Sequence, residues 1–212
     1  MSNRFLLWDH DGVLVDTERW YFEATRIALA EAGVLLSQAH YLELAATGGS
    51  TFDLARARGV AEPEIAAGRA YRDALYQEFL RSEPIEIEGV AEVLGELGSR
   101  YRMAVVTNAR RSDFELIHAR RDLLRHFEFV LTGEDFGRSK PEADPYLAGL
   151  ARFAADPAQA FAVEDSLRGL RSARAAGLPC VVIRTPFTAS EDFTGAFRVV
   201  DSIRDLPGLL RA

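Results

Sequence analysis

Residues 5–17 read Phe5-Leu6-Leu7-Trp8-Asp9-His10-Asp11-Gly12-Val13-Leu14-Val15-Asp16-Thr17. An apolar run, Phe5 to Trp8, meets a polar turn without a break. Such a run, ended by a turn signal, predicts a strand buried on both faces of a parallel sheet. Side chains two apart on an extended segment share a side. Asp9 and Asp11 therefore leave the strand's carboxyl end together, with His10 on the other side, and Gly12 lets the backbone turn. Two adjacent carboxylates repel unless a cation, a shared proton or hydrogen bonds offset them. The plainer reading is a polar turn closing a strand, with one Asp capping the next helix.

Working outward, residues 17–32 predict a helix that Asp16 or Thr17 can cap and that Gly33 ends. Residues 37–46 and 51–58 predict two short helices around a flexible Thr47-Gly48-Gly49-Ser50 break. Pro63 opens a longer helix over 63–81. Residues 17–82 thus read as helical with no strand, a lid-like insertion joined by linkers near 15–17 and 82–88. From residue 88 helices and strands alternate. Helix 89–99 precedes strand 102–106, helix 112–124 precedes strand 127–131, and helix 143–154 precedes strand 160–164. Helix 166–176 precedes strand 180–184, and a weaker strand, 197–200, and a terminal helix, 203–211, come after it. Residues 185–196 are expected to form a mobile loop. The expected fold is α/β: a doubly wound, Rossmann-like parallel sheet formed by 1–16 and 85–212, with a small α-helical domain, 17–84, inserted after the first strand. Ligands of such sheets bind beyond the carboxyl ends of the strands.

Composition narrows the function. A chain of 212 residues with 48% apolar and 27% charged residues is an ordinary globular protein, long enough to bury about 70% of its unfolded surface. A net charge of −7 argues against a nucleic-acid partner, which usually leaves a basic footprint. No apolar run approaches a membrane span, and acidic Asp9 and Asp11 interrupt anything resembling a signal peptide. Cys180 is the single cysteine, so no internal disulfide forms and a cytoplasmic location is expected. One lysine, Lys140, stands against 24 arginines, which marks it as a position where a compact ammonium is needed and a planar fork will not serve.

The polar residues gather at the predicted strand ends: Asp9 and Asp11, Thr107-Asn108, and Glu164-Asp165-Ser166, with Lys140 in a loop before a helix. Each has a plainer use, as turn, helix cap or solvated surface. Together at one sheet edge they fit a single site better than four coincidences. Asp9, Glu164 and Asp165 concentrate negative charge that a hard divalent cation, Mg²⁺, would offset, and oxygen-only ligands favour it over zinc. That metal, Lys140, the Thr107 hydroxyl and nearby backbone amides would make a pocket for a tetrahedral dianion, a phosphate. Asp9 is then placed to attack phosphorus, and Asp11 to protonate the leaving oxygen and later to take a proton from water.

At this point the chain resembles the haloacid dehalogenase-like superfamily. Asp9 to Thr17, Val106-Thr107-Asn108, Lys140-Pro141 and Val163-Glu164-Asp165-Ser166 look like its four motifs, in order and spacing, over nearly the whole chain. The stretch from Val163 to Leu170, followed by Ala175-Ala176-Gly177, resembles the β-phosphoglucomutase and phosphoglycolate-phosphatase branch, whose small helical cap the insertion looks like. The resemblance implies Asp9 as nucleophile and metal ligand, and Asp11 as acid/base that binds metal through its backbone carbonyl. It implies Thr107 and Asn108 on the phosphate, Lys140 neutralising it, and Asp165 with Glu164 completing the metal site.

Departures are informative. His10 fills a slot that is usually apolar and is expected to be packing. Ala143 replaces a proline common after the lysine motif. Where β-phosphoglucomutases carry a cap histidine this chain has Arg19-Trp20-Tyr21-Phe22, and residues 17–84 hold no lysine. The second aspartate, Asp11, argues against a dehalogenase. The expected activity is a Mg²⁺-dependent phosphatase of a small phosphorylated metabolite, monomeric or homodimeric, whose cap closes over the substrate. Thr47 to Thr51, with Arg56 or Arg58, are expected to reach the site. A sugar-phosphate mutase is the alternative, and a non-catalytic binding protein a third reading.

Overall fold

The computed structural model describes residues 5–47 and 49–210. Strand β1, Phe5–Trp8, is the centre of the chain's sheet. The chain divides into two units, residues up to Asp16 together with those from Glu86, and Thr17–Ile85.

The second unit is helical: α1 (Glu18–Glu31), α2 (Gln38–Thr47), α3 (Asp53–Ala57) and α4 (Glu62–Ser82). Gly48, in the expected break, lies outside the described residues. Helix α1 packs along α4 through Tyr21 against Tyr76, edge to face at 5.1 Å, and Trp20 against Phe79 at 5.4 Å. The Thr17 side chain makes no capping hydrogen bond to α1, although it stands at the N-cap. Arg56 pairs with Asp53 and Glu62, and Arg58 donates to the Gly33 carbonyl at 2.7 Å, so both guanidiniums serve the helical unit's own edge.

The first unit alternates as expected. It holds α5 (Val90–Gly98), β2 (Arg102–Val106), α6 (Arg111–His118), β3 (Phe129–Leu131), α7 (Asp144–Phe153), β4 (Ala160–Glu164), α8 (Leu167–Ala175), β5 (Cys180–Ile183), β6 (Arg198–Val200) and α9 (Leu206–Leu209). The sheet runs β3-β2-β1-β4-β5-β6, every pair parallel, with Leu7 level with Ala104 on one side and Ala162 on the other. The period of two along β1 divides the core. Leu6 and Trp8 face α5, Phe114 of α6 and Leu206 of α9, whereas Leu7 faces Tyr146 and Leu150 of α7 and Leu170 of α8. No helix among the described residues is long and apolar enough to cross a membrane.

Two helices are shorter than their patterns predict. Helix α6 stops at His118 rather than running to 124, and a separate 3-10 turn lies beyond it at Leu123–His126. The next inward position carries Arg121, whose guanidinium donates to the Ile117 carbonyl at 2.6 Å and pairs with Glu86. Basic side chains commonly satisfy in this way the carbonyls left open where a helix ends. The expected 203–211 helix splits into a 3-10 turn at Ile203–Asp205 and α9, where Pro207 sits in the first turn; residue 211 lies outside the described residues. In the segment 185–196, Thr185 and Thr188 hydrogen-bond each other, and the Glu191 carboxylate accepts from the Leu167 amide at 2.6 Å.

Leu94 of α5 is fully buried between that helix and the sheet. Leu94→Ala is expected to lower unfolding free energy by about 2–5 kcal/mol in urea denaturation, the usual cost of an unfilled core cavity.

Candidate active site

The site is built at the carboxyl edge of the sheet. Asp9 lies just past β1 and is held there by its amide, which donates to the Val163 carbonyl of β4 at 2.8 Å. The chain then folds back on itself: the His10 carbonyl accepts from the Leu14 amide at 2.8 Å, and the Gly12 amide donates to Val15 at 2.8 Å. Gly12 has φ +79°, and a Cβ there would overlap the Asp165 carboxylate. Glycine at this turn is what lets Asp165 close on the Asp9–Asp11 loop. Asp9, Glu164 and Asp165, all buried, each offer a carboxylate oxygen, and the three oxygens lie within 4.8 Å of one another.

Lys140 enters from the loop ahead of α7 and is buried. Its Nζ donates to Asp9 Oδ1 at 2.8 Å, Glu164 Oε1 at 2.6 Å and the Val106 carbonyl at 2.8 Å. An ammonium has three hydrogens, and all three are committed here, so its expected action on a phosphate is one of charge rather than of direct donation. Burial alone would lower the Lys140 pKa, but Asp9 and Glu164 outweigh it and the ammonium is held charged. Tyr146 of α7 adds a hydroxyl to Glu164 Oε1 at 2.5 Å. Glu164 is nevertheless pushed above the usual carboxylate range, first by burial and then by the Asp9 charge, against the opposing pull of Lys140 and Tyr146.

Glu164 Oε2 is buried without a hydrogen-bond partner. The close approach continues beneath it: a Cβ on Gly169 of α8 would overlap this carboxylate. Three clustered carboxylates against one ammonium leave excess negative charge, and a buried carboxylate oxygen without a donor is costly. An all-oxygen set of this kind suits a hard divalent cation such as Mg²⁺, so the residues present fit that ion. Asp11 stands apart from the cluster. Its carboxylate is part-exposed and faces the Thr107 hydroxyl, with Oγ1 3.5 Å from Oδ2.

Thr107 and Asn108 come directly after β2. The Thr107 amide donates to Leu131 and its Oγ1 accepts from the Ala109 amide at 2.9 Å, closing the turn after the strand. The Asn108 side chain clamps the lysine loop, accepting from the Lys140 amide at 3.0 Å and donating to the Lys140 carbonyl at 3.3 Å. Ser166 caps α8, its Oγ accepting from the Gly169 amide at 3.1 Å.

Two polar residues escaped the sequence reading. Tyr146 falls at inward helical spacing with Leu150 and Phe153, where a tyrosine is indistinguishable from packing until its hydroxyl is placed. His118, on α6, meets His10 in the core, Nε2 to Nε2 at 2.9 Å. Its only signal was a histidine four residues after Phe114 on an apolar face. His118 is held neutral, with a pKa lowered to about 3, first by burial and then by its neighbours His10 and Arg121.

A family model for haloacid dehalogenase-like hydrolases matches residues 6–183. The chain belongs to the haloacid dehalogenase-like hydrolase family. It is 31% identical to protein CbbY of Cereibacter sphaeroides over 96% of this chain and 94% of that protein. It is 29% identical to the fructose-1-phosphate phosphatase YqaB of Escherichia coli, over 84% of this chain and 95% of that one. Among solved structures, CbbY from Rhodobacter sphaeroides in complex with phosphate superposes with a TM-score of 0.80, at 27% identity over 97% and 96% of the two chains. As in other members of a hydrolase family, the fold alone does not name the substrate.

Replacing Lys140 by Met leaves Asp9 and Glu164 buried without their counter-charge. Urea unfolding without added metal is expected to show a loss of about 3–5 kcal/mol, the cost of breaking a buried pair from one side. His118 supplies a pH signature. Its folded pKa is depressed, so the unfolded chain binds the extra proton first. The contribution is fully present above pH 6.5 and is lost as pH falls toward about 3. The slope of stability against pH below 6.5 is expected to flatten in His118→Gln, measured by urea titrations at stepped pH.

Proposed function

We propose that this chain is a Mg²⁺-dependent phosphatase of a small phosphorylated metabolite, a sugar phosphate in the first instance, acting through an aspartyl-phosphate intermediate on Asp9. The observation that carries the reading is the pairing of two aspartates on one turn with different surroundings. Asp9 sits in the buried charge cluster, tied to Lys140, while Asp11 faces Thr107 outside it. Two carboxylates in unlike environments take unlike roles.

Asp9 attacks phosphorus, and the bond to the leaving oxygen breaks as Asp11 gives that oxygen a proton. Asp11 then takes a proton from a water, which attacks the aspartyl phosphate, releases inorganic phosphate and restores the Asp9 carboxylate. Lys140 fixes the Asp9 carboxylate from below, Tyr146 and Lys140 fix Glu164, and Asn108 holds the Lys140 backbone in place. The Thr107 hydroxyl binds the phosphoryl oxygens. Asp9, Glu164, Asp165 and the Asp11 carbonyl would hold Mg²⁺, which would supply positive charge for an anionic nucleophile meeting an anionic group. The helical unit, 17–85, serves as the cap that selects the substrate. The relative named as a fructose-1-phosphate phosphatase supports the substrate class, and the absence of lysine from residues 17–84 weighs against a β-phosphoglucomutase-like mutase.

The test is phosphate release from hexose phosphates, phosphoglycolate and nucleotides, with Mg²⁺ and with chelator, together with conversion of β-glucose 1-phosphate to glucose 6-phosphate. Metal-dependent release from sugar phosphates is expected, falling at least about a thousand-fold in Asp9→Asn as the loss of a covalent nucleophile requires, with the fold kept by circular dichroism. Isomer interconversion with little release would make the chain a mutase. Undiminished release by Asp9→Asn would overturn the mechanism.

A further inference from the structure

The buried pair His10–His118 has no part in the chemistry above, yet it ends at Asp11. His10 is fully buried and His118 is 7% exposed, with the Phe114 ring 4.7 Å from one imidazole and 4.5 Å from the other. The two Nε2 atoms are 2.9 Å apart, and His10 Nδ1 lies 3.4 Å from Asp11 Oδ2. Neither Nδ1 has a hydrogen-bond partner.

A hydrogen bond between two neutral imidazoles needs one N–H and one bare nitrogen. If His10 donates, its Nδ1 is bare and turns a lone pair toward the Asp11 carboxylate, which repels it. If His118 donates, His10 carries its hydrogen on Nδ1, and the positive end of an N–H dipole lies 3.4 Å from the carboxylate, short of hydrogen-bond geometry. The second arrangement is electrostatically favoured. Which nitrogen of a histidine is protonated is set by the bond the other makes.

We propose that His118 is a positioning residue that acts through His10 on Asp11: in this row His118 Nε2–H donates to His10 Nε2, and the His10 Nδ1–H so fixed acts electrostatically on Asp11 Oδ2 across 3.4 Å. It rests on the reading of Asp11 as acid and base. Asp11 Oδ2 then faces the His10 dipole from one direction and, until a phosphate takes the Thr107 hydrogen, the Thr107 hydroxyl, at 3.5 Å, from another. The carboxylate is kept in one orientation for proton exchange. The row puts a polar group where β1 periodicity calls for an apolar one, and it needs α6 to end with His118 facing the sheet.

Long-range proton–nitrogen spectra of the full chain labelled at histidine test the row without any assay of activity. His10 is expected as the Nδ1–H tautomer and His118 as the Nε2–H tautomer; a His10 with bare Nδ1 overturns the proposal. His118→Phe is expected to release His10 from that single tautomer. Kinetics supply the second arm through kcat/KM, which reports events up to leaving-group departure. For an alkyl phosphate, whose leaving oxygen needs a proton, kcat/KM of His118→Phe is expected to fall about tenfold, a fraction of what a positioned acid supplies. For p-nitrophenyl phosphate, whose leaving group departs as an anion, the change should stay within about twofold. His118→Gln keeps an N–H donor and is expected to recover most of the loss; it also serves if the Phe variant fails to fold. Equal losses on both substrates would show a merely structural role and overturn the proposal. No phosphate release by the unaltered chain would sink the phosphatase reading while leaving the tautomers to be judged from the spectra.

Discussion

The Lys140 ammonium, enclosed between Asp9, Glu164 and the Val106 carbonyl, is the interaction on which the carboxyl edge of the sheet depends. Its three partners come from the ends of β1, β4 and β2, three neighbouring strands whose carboxylates and carbonyl would otherwise face one another in a space closed to water. Parallel strands bring their carboxyl ends to one side, so a fold of this kind accumulates such groups there. A single compact cation with three divergent hydrogens satisfies all three at once. A planar guanidinium would present its donors in a fixed fork and carry more bulk. This accounts for one lysine in a chain whose other cations are all arginine.

The rest of the site is arranged around that cation by close approach. Glycine at 12 and 169 removes the two Cβ atoms that would overlap the Asp165 and Glu164 carboxylates. Asn108 grips the lysine loop by its backbone, and Tyr146 reaches Glu164 from α7. The remaining negative charge and the unpartnered Glu164 Oε2 explain why the cluster suits a divalent cation. On the opposite face of β1 the polar groups are imidazoles. His10 and His118 share one hydrogen bond among aromatic rings, where burial disfavours a charge on His118. The alternation of the chain thus separates a layer of carboxylates and one ammonium, under α7 and α8, from a layer of imidazoles and aromatic rings, under α6.

Much of this was legible in the chain. The apolar run from Phe5 into paired aspartates, the alternation of strand and helix after residue 88, and the isolated lysine are local signals, and they point to the observed sheet and to Asp9, Lys140, Glu164 and Asp165 in one cluster. Where reading failed, a side chain acted on something distant in sequence. Arg121, at an inward position by helical spacing, instead donates to the Ile117 carbonyl and pairs with Glu86 beyond the end of α6. Thr17 stood at the N-cap of α1 without capping it. The hold of the Asn108 side chain on the Lys140 backbone was likewise not legible in the sequence.

The sequence by itself determined the order of elements, the burial of β1 on both faces and the residue types available at the sheet edge, because hydrophobic period and turn chemistry are properties of neighbouring residues. Only the tertiary structure decided which hydrogens of Lys140 go where, that Tyr146 is more than packing, and that His118 completes a contact begun by His10. Those outcomes depend on distances of about 3 Å between residues as much as 131 positions apart. Hydrogen bonds have a direction and a narrow range of length. Periodicity carries neither; packing supplies both.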